Sequence, residues 1–344
     1  MGKYLTRRDF LKLLPLSLAG AYLPSAWQDD LLISSSAIMR GRVARKSINL
    51  HAQPDPLSSV LGKLQRDEIL TLEDEIISPS GPQENPRWYR MAGGYVHSAY
   101  LQRVDRALPS QPISQVPEGG WLAEVSVPYT QTLYQNRLGA WVPLYRLYYQ
   151  SLHWVTGIVT GPDGSLYCRL VDEWLRVAYL ASVSHLRLLT MDEIEPISPD
   201  VPAGKKQIEI WLQSQRLAAF EGRRQVFEAP VSTGVKYKET PEGVFSVNRK
   251  CPSKHMGDGG LTSKLDAYEL PGVPWASFFT DTGVALHGTY WHDNFGVPMS
   301  HGCVNLRISD ARWLFRWCTP VYSAQINSQS GRKLLGDGTR VIVR

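Results

Sequence analysis

Long apolar runs are nearly absent from this 344-residue chain. Past the first 26 residues no segment approaches the ~18 apolar residues that a bilayer-spanning helix needs, so no stable membrane insertion is expected once those residues are removed. Cysteine is scarce as well. Cys168, Cys251, Cys303 and Cys318 are too few for a disulfide scaffold at this length; one pair could bridge, and the sequence does not choose it. There is little excess charge: of the formal net +5, residues 1–26 hold +3, from Lys3, Arg7, Arg8 and Lys12 against Asp9. The +2 that remains is too small to argue for a nucleic-acid partner. With 43% hydrophobic residues, the combination of low hydrophobicity and high charge that marks disorder is missing. No motif for a cofactor is present.

What the chain does have is turns and aromatics. Gly and Pro number 28 and 23, and there are 11 Trp, which points to short strands rather than helices. Residues 1–26 read as an export signal. Thr6-Arg7-Arg8-Asp9-Phe10-Leu11-Lys12 looks like a twin-arginine motif, a short apolar stretch follows, and Ala19-Gly20-Ala21 or Ala26 offers a cleavage point. An extracytoplasmic location follows from that reading.

Residues 27–39 read as a linker. Between 40 and 105, short apolar runs are divided by Pro54, Pro56 and Gly62, and a Gly93-Gly94 pair between aromatic runs predicts a hairpin. Ile48-Asn49-Leu50 before a Pro-rich loop, Gly62 after Val60-Leu61, and Gly94-Tyr95-Val96-His97-Ser98 resemble a bacterial SH3-like domain. A Pro/Ser/Gln linker occupies 106–120. Residues 121–195 echo the first segment: Cys168-Arg169-Leu170 follows Tyr89-Arg90-Met91, and Tyr179-Leu180-Ala181-Ser182 follows Tyr95-Val96-His97-Ser98. This weak repeat predicts a second SH3-like β domain. From 206 to 344 the pattern is a β meander, with a helix over "ARWLFRWC" capped by Ser309 and stopping before Thr319-Pro320, and "GTRVIVR" as a closing strand.

The chemistry concentrates in "HGTYWHDNFGVPMSHGCVNL", His287 to Leu306. A thiol attacks a carbonyl well only as thiolate, so Cys303 needs a base; His287 and His301 are the candidates. A meander can leave one strand and return within sixteen residues, which would bring His287 to Cys303. Gly302 permits a tight turn, and the amides of Gly302 and Cys303 could face a developing oxyanion. A zinc site from His287, His292, His301 and Cys303 is the competing reading.

His287-Gly288, twelve intervening residues, and Ser300-His301-Gly302-Cys303-Val304-Asn305 resemble the signature of L,D-transpeptidases with a YkuD-type catalytic domain. The upstream Val231-Ser232-Thr233-Gly234 and Thr240-Pro241-Glu242-Gly243-Val244-Phe245 match the same family. The resemblance covers about 207–344 and implies a mainly β fold: one or two SH3-like small β-barrels, then an L,D-transpeptidase β-sandwich with a short helix after the catalytic Cys. It implies a peptidoglycan stem tetrapeptide as substrate, a Cys303 thioester with release of D-alanine, and a 3→3 cross-link. It assigns His287 as base, oriented by the Gly288 carbonyl, and His301 to the oxyanion hole. It uses no metal. Substrate contacts are expected from Ser300, Asn305, Tyr290, Trp291, His255 and Met256. Many relatives carry Arg where Asn305 stands, and Arg307 could substitute for it. The SH3-like parts imply cell-wall binding. An L,D-carboxypeptidase and a non-catalytic wall-binding protein are the alternatives. A wall endopeptidase fits less well, because His287 precedes Cys303.

Overall fold

The computed structural model describes residues 38–105, 112–172, 174–322 and 337–344. The expected export signal, nearly all of the 27–39 linker and part of the 106–120 linker lie outside the described residues. The described chain is mainly β, with one α-helix among the described residues, and no helix among them is long and apolar enough to cross a membrane.

The first β segment has a three-stranded sheet (Ile69–Leu72, Met39–Val43, Leu101–Arg103). A five-stranded sheet (Val60–Gln65, Ser47–His51, Gly94–His97, Arg87–Met91, Asp74–Ile77) completes it. Alternating side chains close the two around Val43, Leu70, Leu72, Tyr89, Val96 and Leu101. The second segment is a seven-stranded sheet: Trp141–Tyr148, Tyr129–Gln135, Val177–Ser182, Leu166–Asp172, Leu152–Thr160, Trp121–Val125, Leu186–Leu188. Its pairing order repeats that of the first segment with one change. Ile69–Leu72 and Asp74–Ile77 are separate strands in the first segment, and the long strand Leu152–Thr160 takes both places in the second. Both segments end in a strand, a 3-10 turn and a strand. The turn is capped by His97 in one and by Ser182 in the other.

The C-terminal part stacks a five-stranded sheet (Arg224–Pro230, Arg216–Glu221, Lys206–Trp211, Arg340–Val343, Gly243–Ser246) with a four-stranded one (Arg249–Gly257, Glu269–Phe278, Ala285–Gly288, Val304–Leu306). In "KQIEIW" the alternate residues Lys206, Ile208 and Ile210 point inward, as period 2 requires. The helix Ile308–Trp317 contributes Ala311, Leu314 and Phe315 to the same core. Its N-cap is Arg307, not the expected Ser309, which sits inside the first turn; no side chain caps the helix. At the other end, buried Lys206 and Lys250 donate to the carbonyls of Trp317 and Cys318 at 2.8 and 2.9 Å. These cations meet the negative end of the helix dipole.

The second β segment and the C-terminal part share one core. Leu122, Leu152, Trp154, Leu189 and Ile194 of the second segment belong to the same apolar cluster as Ile208, Trp275, Phe315 and Val341. Gly272, at φ +71°, is where the backbones meet most closely: a Cβ there would stand 2.3 Å from the His153 ring and 2.6 Å from the Leu152 carbonyl. The first segment instead grips the connection between His287 and Cys303. Arg42 donates to the Tyr290 carbonyl (3.0 Å), Asp293 N–H to the Ala99 carbonyl (2.8 Å), and Asn85 Nδ2 to Asn294 Oδ1 (3.0 Å). None of the four cysteines, all among the described residues, is joined in a disulfide.

Candidate active site

His287 and Cys303 do not meet through a meander. Ala285–Gly288 and Val304–Leu306 are parallel neighbours, with Leu286 opposite Val304 and His287 opposite Asn305. Parallel strands need a crossover of a dozen or more residues, which is what the stretch between them provides. Leu286 and Val304 face the core. Ala285 and His287 therefore face the other way, and Cys303 packs on that side with Ala285, Phe278 and Met256.

His287 is buried, and its Nδ1 donates to the Gly288 carbonyl at 3.0 Å. That bond fixes the tautomer: Nε2 carries the lone pair. Burial pushes the imidazole pKa down to about 4, against a smaller upward pull from the Gly288 carbonyl, so the ring is neutral at neutral pH. Burial pushes the half-buried Cys303 thiol up. At rest the thiol and the imidazole are thus both neutral, with at most a few per cent of thiolate at pH 7, and the Cys303 Sγ lies 3.9 Å from the Gly283 carbonyl. Alkylation of Cys303 by iodoacetamide is therefore expected to be slow at pH 7 and to climb above pH ~9. A rate already on its plateau at pH 6 would instead reveal a thiolate–imidazolium pair.

The turn before Cys303 is held from within. Gly302 has φ +119°; a Cβ there meets nothing nearer than 3.7 Å, so the backbone angle and not space demands glycine. The Ser300 hydroxyl accepts from Gly302 N–H (3.0 Å) and donates to the Cys303 carbonyl (2.5 Å). Two expectations change as a result. The Gly302 amide is already bonded and not an open oxyanion donor, and Ser300 is a turn brace rather than a substrate contact. Asn305 is also turned inward: it is buried, and its amide lies 2.8 Å from His292 Nε2. Arg307 does not take over, since its guanidinium lies over Phe295 and beside Asp293.

His255 departs furthest from expectation. It is buried, with Nδ1 at 2.5 Å from Asp172 and Nε2 at 2.8 Å from Glu269, so it ties the second β segment to the strand Glu269–Phe278 instead of meeting substrate. Met256 packs against the same small apolar cluster as Cys303. Tyr290 is buried, its hydroxyl donating to the Pro271 carbonyl, whereas Trp291 is partly exposed with its ring 5.8 Å from that of His287. His301 is exposed, its ring 5.6 Å from that of Tyr268. Of the four zinc candidates, His292 has both ring nitrogens bonded, to Asn294 N–H and to Asn305. Among the described residues, no group of three or more His, Cys, Asp or Glu is placed to hold a metal ion.

Residues missing from the expected site do much of the positioning. Thr240 Oγ1 accepts from Gly234 N–H (3.0 Å) and donates to the Gly302 carbonyl (2.8 Å). Met299 and Ser300 N–H both bond the Thr233 carbonyl, and Ser232 and Asn305 exchange backbone bonds. The segments 231–234 and 240–245 are therefore the rail on which the Cys303 turn rests. Their presence as a motif was the available signal; their partner was not.

Residues 205–343 match the family model of YkuD, the L,D-transpeptidase catalytic domain. Among solved structures, the chain is similar to the catalytic domain of an L,D-transpeptidase from E. faecium, at 23% identity and TM-score 0.30, covering 40% of this chain and 96% of that one. It is similar to L,D-transpeptidase 3 from Mycobacterium tuberculosis at 21% identity and TM-score 0.32, covering 41% of this chain and 61% of the other. An L,D-transpeptidase from Mycobacterium smegmatis is 17% identical, TM-score 0.32, covering 52% and 90%. No curated protein matches the chain.

Proposed function

We propose that this chain, whose residues 205–343 carry an L,D-transpeptidase catalytic domain, is an exported enzyme that cross-links peptidoglycan stem peptides through a Cys303 thioester. The observation that supports it best is the tautomer of His287, whose Nδ1–H is tied to Gly288 and whose Nε2 is left as a base on the face that carries Cys303. In the proposed reaction, Nε2 takes the Cys303 proton as Sγ attacks the carbonyl of the third stem residue. The Cys303 amide and His301 stabilise the oxyanion, and the imidazolium returns the proton to the departing D-alanine amine. An amine of a second stem then attacks the thioester, its proton passes to His287 and back to the thiol, and a 3→3 link forms. The two β segments act as SH3-like wall-binding modules, supported by their common pairing order. The Arg7-Arg8 motif supports export by the twin-arginine route. No step calls for a metal or cofactor.

The test uses the chain from residue 38 onward, mixed with a disaccharide-tetrapeptide. Intact mass should show an adduct on Cys303 equal to the stem less D-alanine, and chromatography should show cross-linked dimer. Tripeptide without dimer would move the assignment to an L,D-carboxypeptidase. Neither product nor adduct would overturn the catalytic reading.

A further inference from the structure

A cleft of about 260 Å³ opens where all three parts of the chain meet. Arg42 and Arg66 come from the first β segment, Arg146 from the second, and Tyr268 and Trp291 from the catalytic part. Those two aromatics are the ones that touch the candidate histidines, Trp291 against His287 and Tyr268 against His301. The cleft is therefore one side chain removed from His287 and His301, neither of which lines it.

Its charge is unbalanced in a specific way. Arg42 is fully engaged by Asp67, Gln102 and the Tyr290 carbonyl. Asp67 gives its second oxygen to Arg146 Nη1 at 2.6 Å. Lys264 and two carboxylates, Asp266 and Glu269, also line the cleft, and Glu269 is held by His255 and Gly260 N–H. Arg66 and Arg146 each keep a buried Nε–H with no partner. Those two atoms have no accessible surface, so a ligand in the cleft would meet the other guanidinium nitrogens of the two arginines, a group suited to a carboxylate. Asn305, expected as a substrate contact, is uncharged and its amide lies 2.8 Å from His292 Nε2.

We propose that this cleft is a carboxylate-binding subsite for stem peptide, with Arg66 and Arg146 as its donors, so that both N-terminal β segments help to select substrate. The proposal rests on the reading of the enzyme as acting on stem peptides. A carboxylate of the acyl donor or of the acceptor would satisfy the same donors.

The experiment measures binding without turnover. The Cys303→Ala chain is titrated calorimetrically with disaccharide-tetrapeptide, as donor, and with disaccharide-tripeptide, as acceptor, each also with its carboxylates amidated. Arg66→Gln and Arg146→Gln are compared in that background; Arg66→Gln leaves the Asp67 pairs intact and guards against loss of fold. Each variant should weaken binding of the carboxylate form about tenfold or more, as expected for a charged hydrogen bond, and should lose the preference over the amidated form. Alkylation of Cys303 in the corresponding Cys-containing variants should be unchanged. The ligand affected, tetrapeptide or tripeptide, identifies the donor or the acceptor as its source. Equal affinity of variants and parent, or an undiminished preference for the carboxylate form, overturns the subsite. Absence of turnover with carboxylate binding retained would count against the catalytic reading alone.

Discussion

Cys303→Ala is expected to abolish adduct formation and product together, and His287→Gln to lower turnover by about 10²–10⁴ while leaving the thiol open to alkylation. The two losses differ in kind. Without Sγ there is no nucleophile and the thioester cannot form. Without the imidazole the thiol is still present, but burial has pushed it up and no base takes its proton. The pH profile separates this account from one with a preformed thiolate. A base with a pKa pushed down to about 4 stays neutral through mildly acidic pH, so turnover should hold from about pH 9 to pH 5 and fall only as His287 takes up a proton. In the variant that acid limb should disappear. Turnover by Cys303→Ala, or an acid limb that survives in His287→Gln, would sink the assignment of these two residues. Intact mass and initial rates across pH suffice to decide.

Arg42→Met should cost about 3–5 kcal/mol of folding stability, the usual penalty for breaking a buried charge pair by removing one partner. Arg42 is 1% exposed. It donates to Asp67 at 2.8 Å, to Gln102 at 3.0 and 2.8 Å and to the Tyr290 carbonyl at 3.0 Å, with its guanidinium 4.0 Å from the centre of the Tyr148 ring. Methionine fills the volume and satisfies none of these. Asp67 would keep only Arg146, and the Tyr290 carbonyl would lose its donor beside Trp291 and His287. Urea denaturation should therefore show a lowered midpoint, and the folded fraction should show slower acylation of Cys303 by substrate. Unchanged stability would mean that the first β segment is a passenger rather than a support.

The site was legible where chemistry restricts the choice of residue. A thiol nucleophile and its base leave few alternatives, so Cys303 stood out by type, with His287 and His301 as its candidate bases; the Gly288 carbonyl came from the family resemblance. Polar residues with several uses misled. Ser300, Asn305 and His255 have the side chains of a binding site, and each is spent on a bond inside the protein. Nothing local to such a residue says whether its partner is a ligand or another part of the chain. Arg42 drew no reading from the sequence, because nothing local to "MRGRV" marks an arginine that is among the most buried side chains. Strand runs and the repeat were visible from alternation and turns. The parallel pairing was not, since a crossover and a meander loop have the same length here. The common core also escaped notice, because Leu152 and Trp154 satisfy a strand pattern whichever sheet they cover.

The grip of the first β segment on residues 290–296 bears on the order in which the protein comes into being. A chain is synthesised from its N terminus, and early parts can fold while later ones are still being made. Ala99, Asn85 and Arg42 emerge some two hundred residues before the stretch they hold. The mould for the crossover thus exists before the crossover does, and the nucleophile at its far end is the last of the reacting groups to arrive. A nascent chain stalled between the second β segment and residue 303 carries the mould but neither the thiol nor the helix Ile308–Trp317 and strand Arg340–Val343 that complete the core around it.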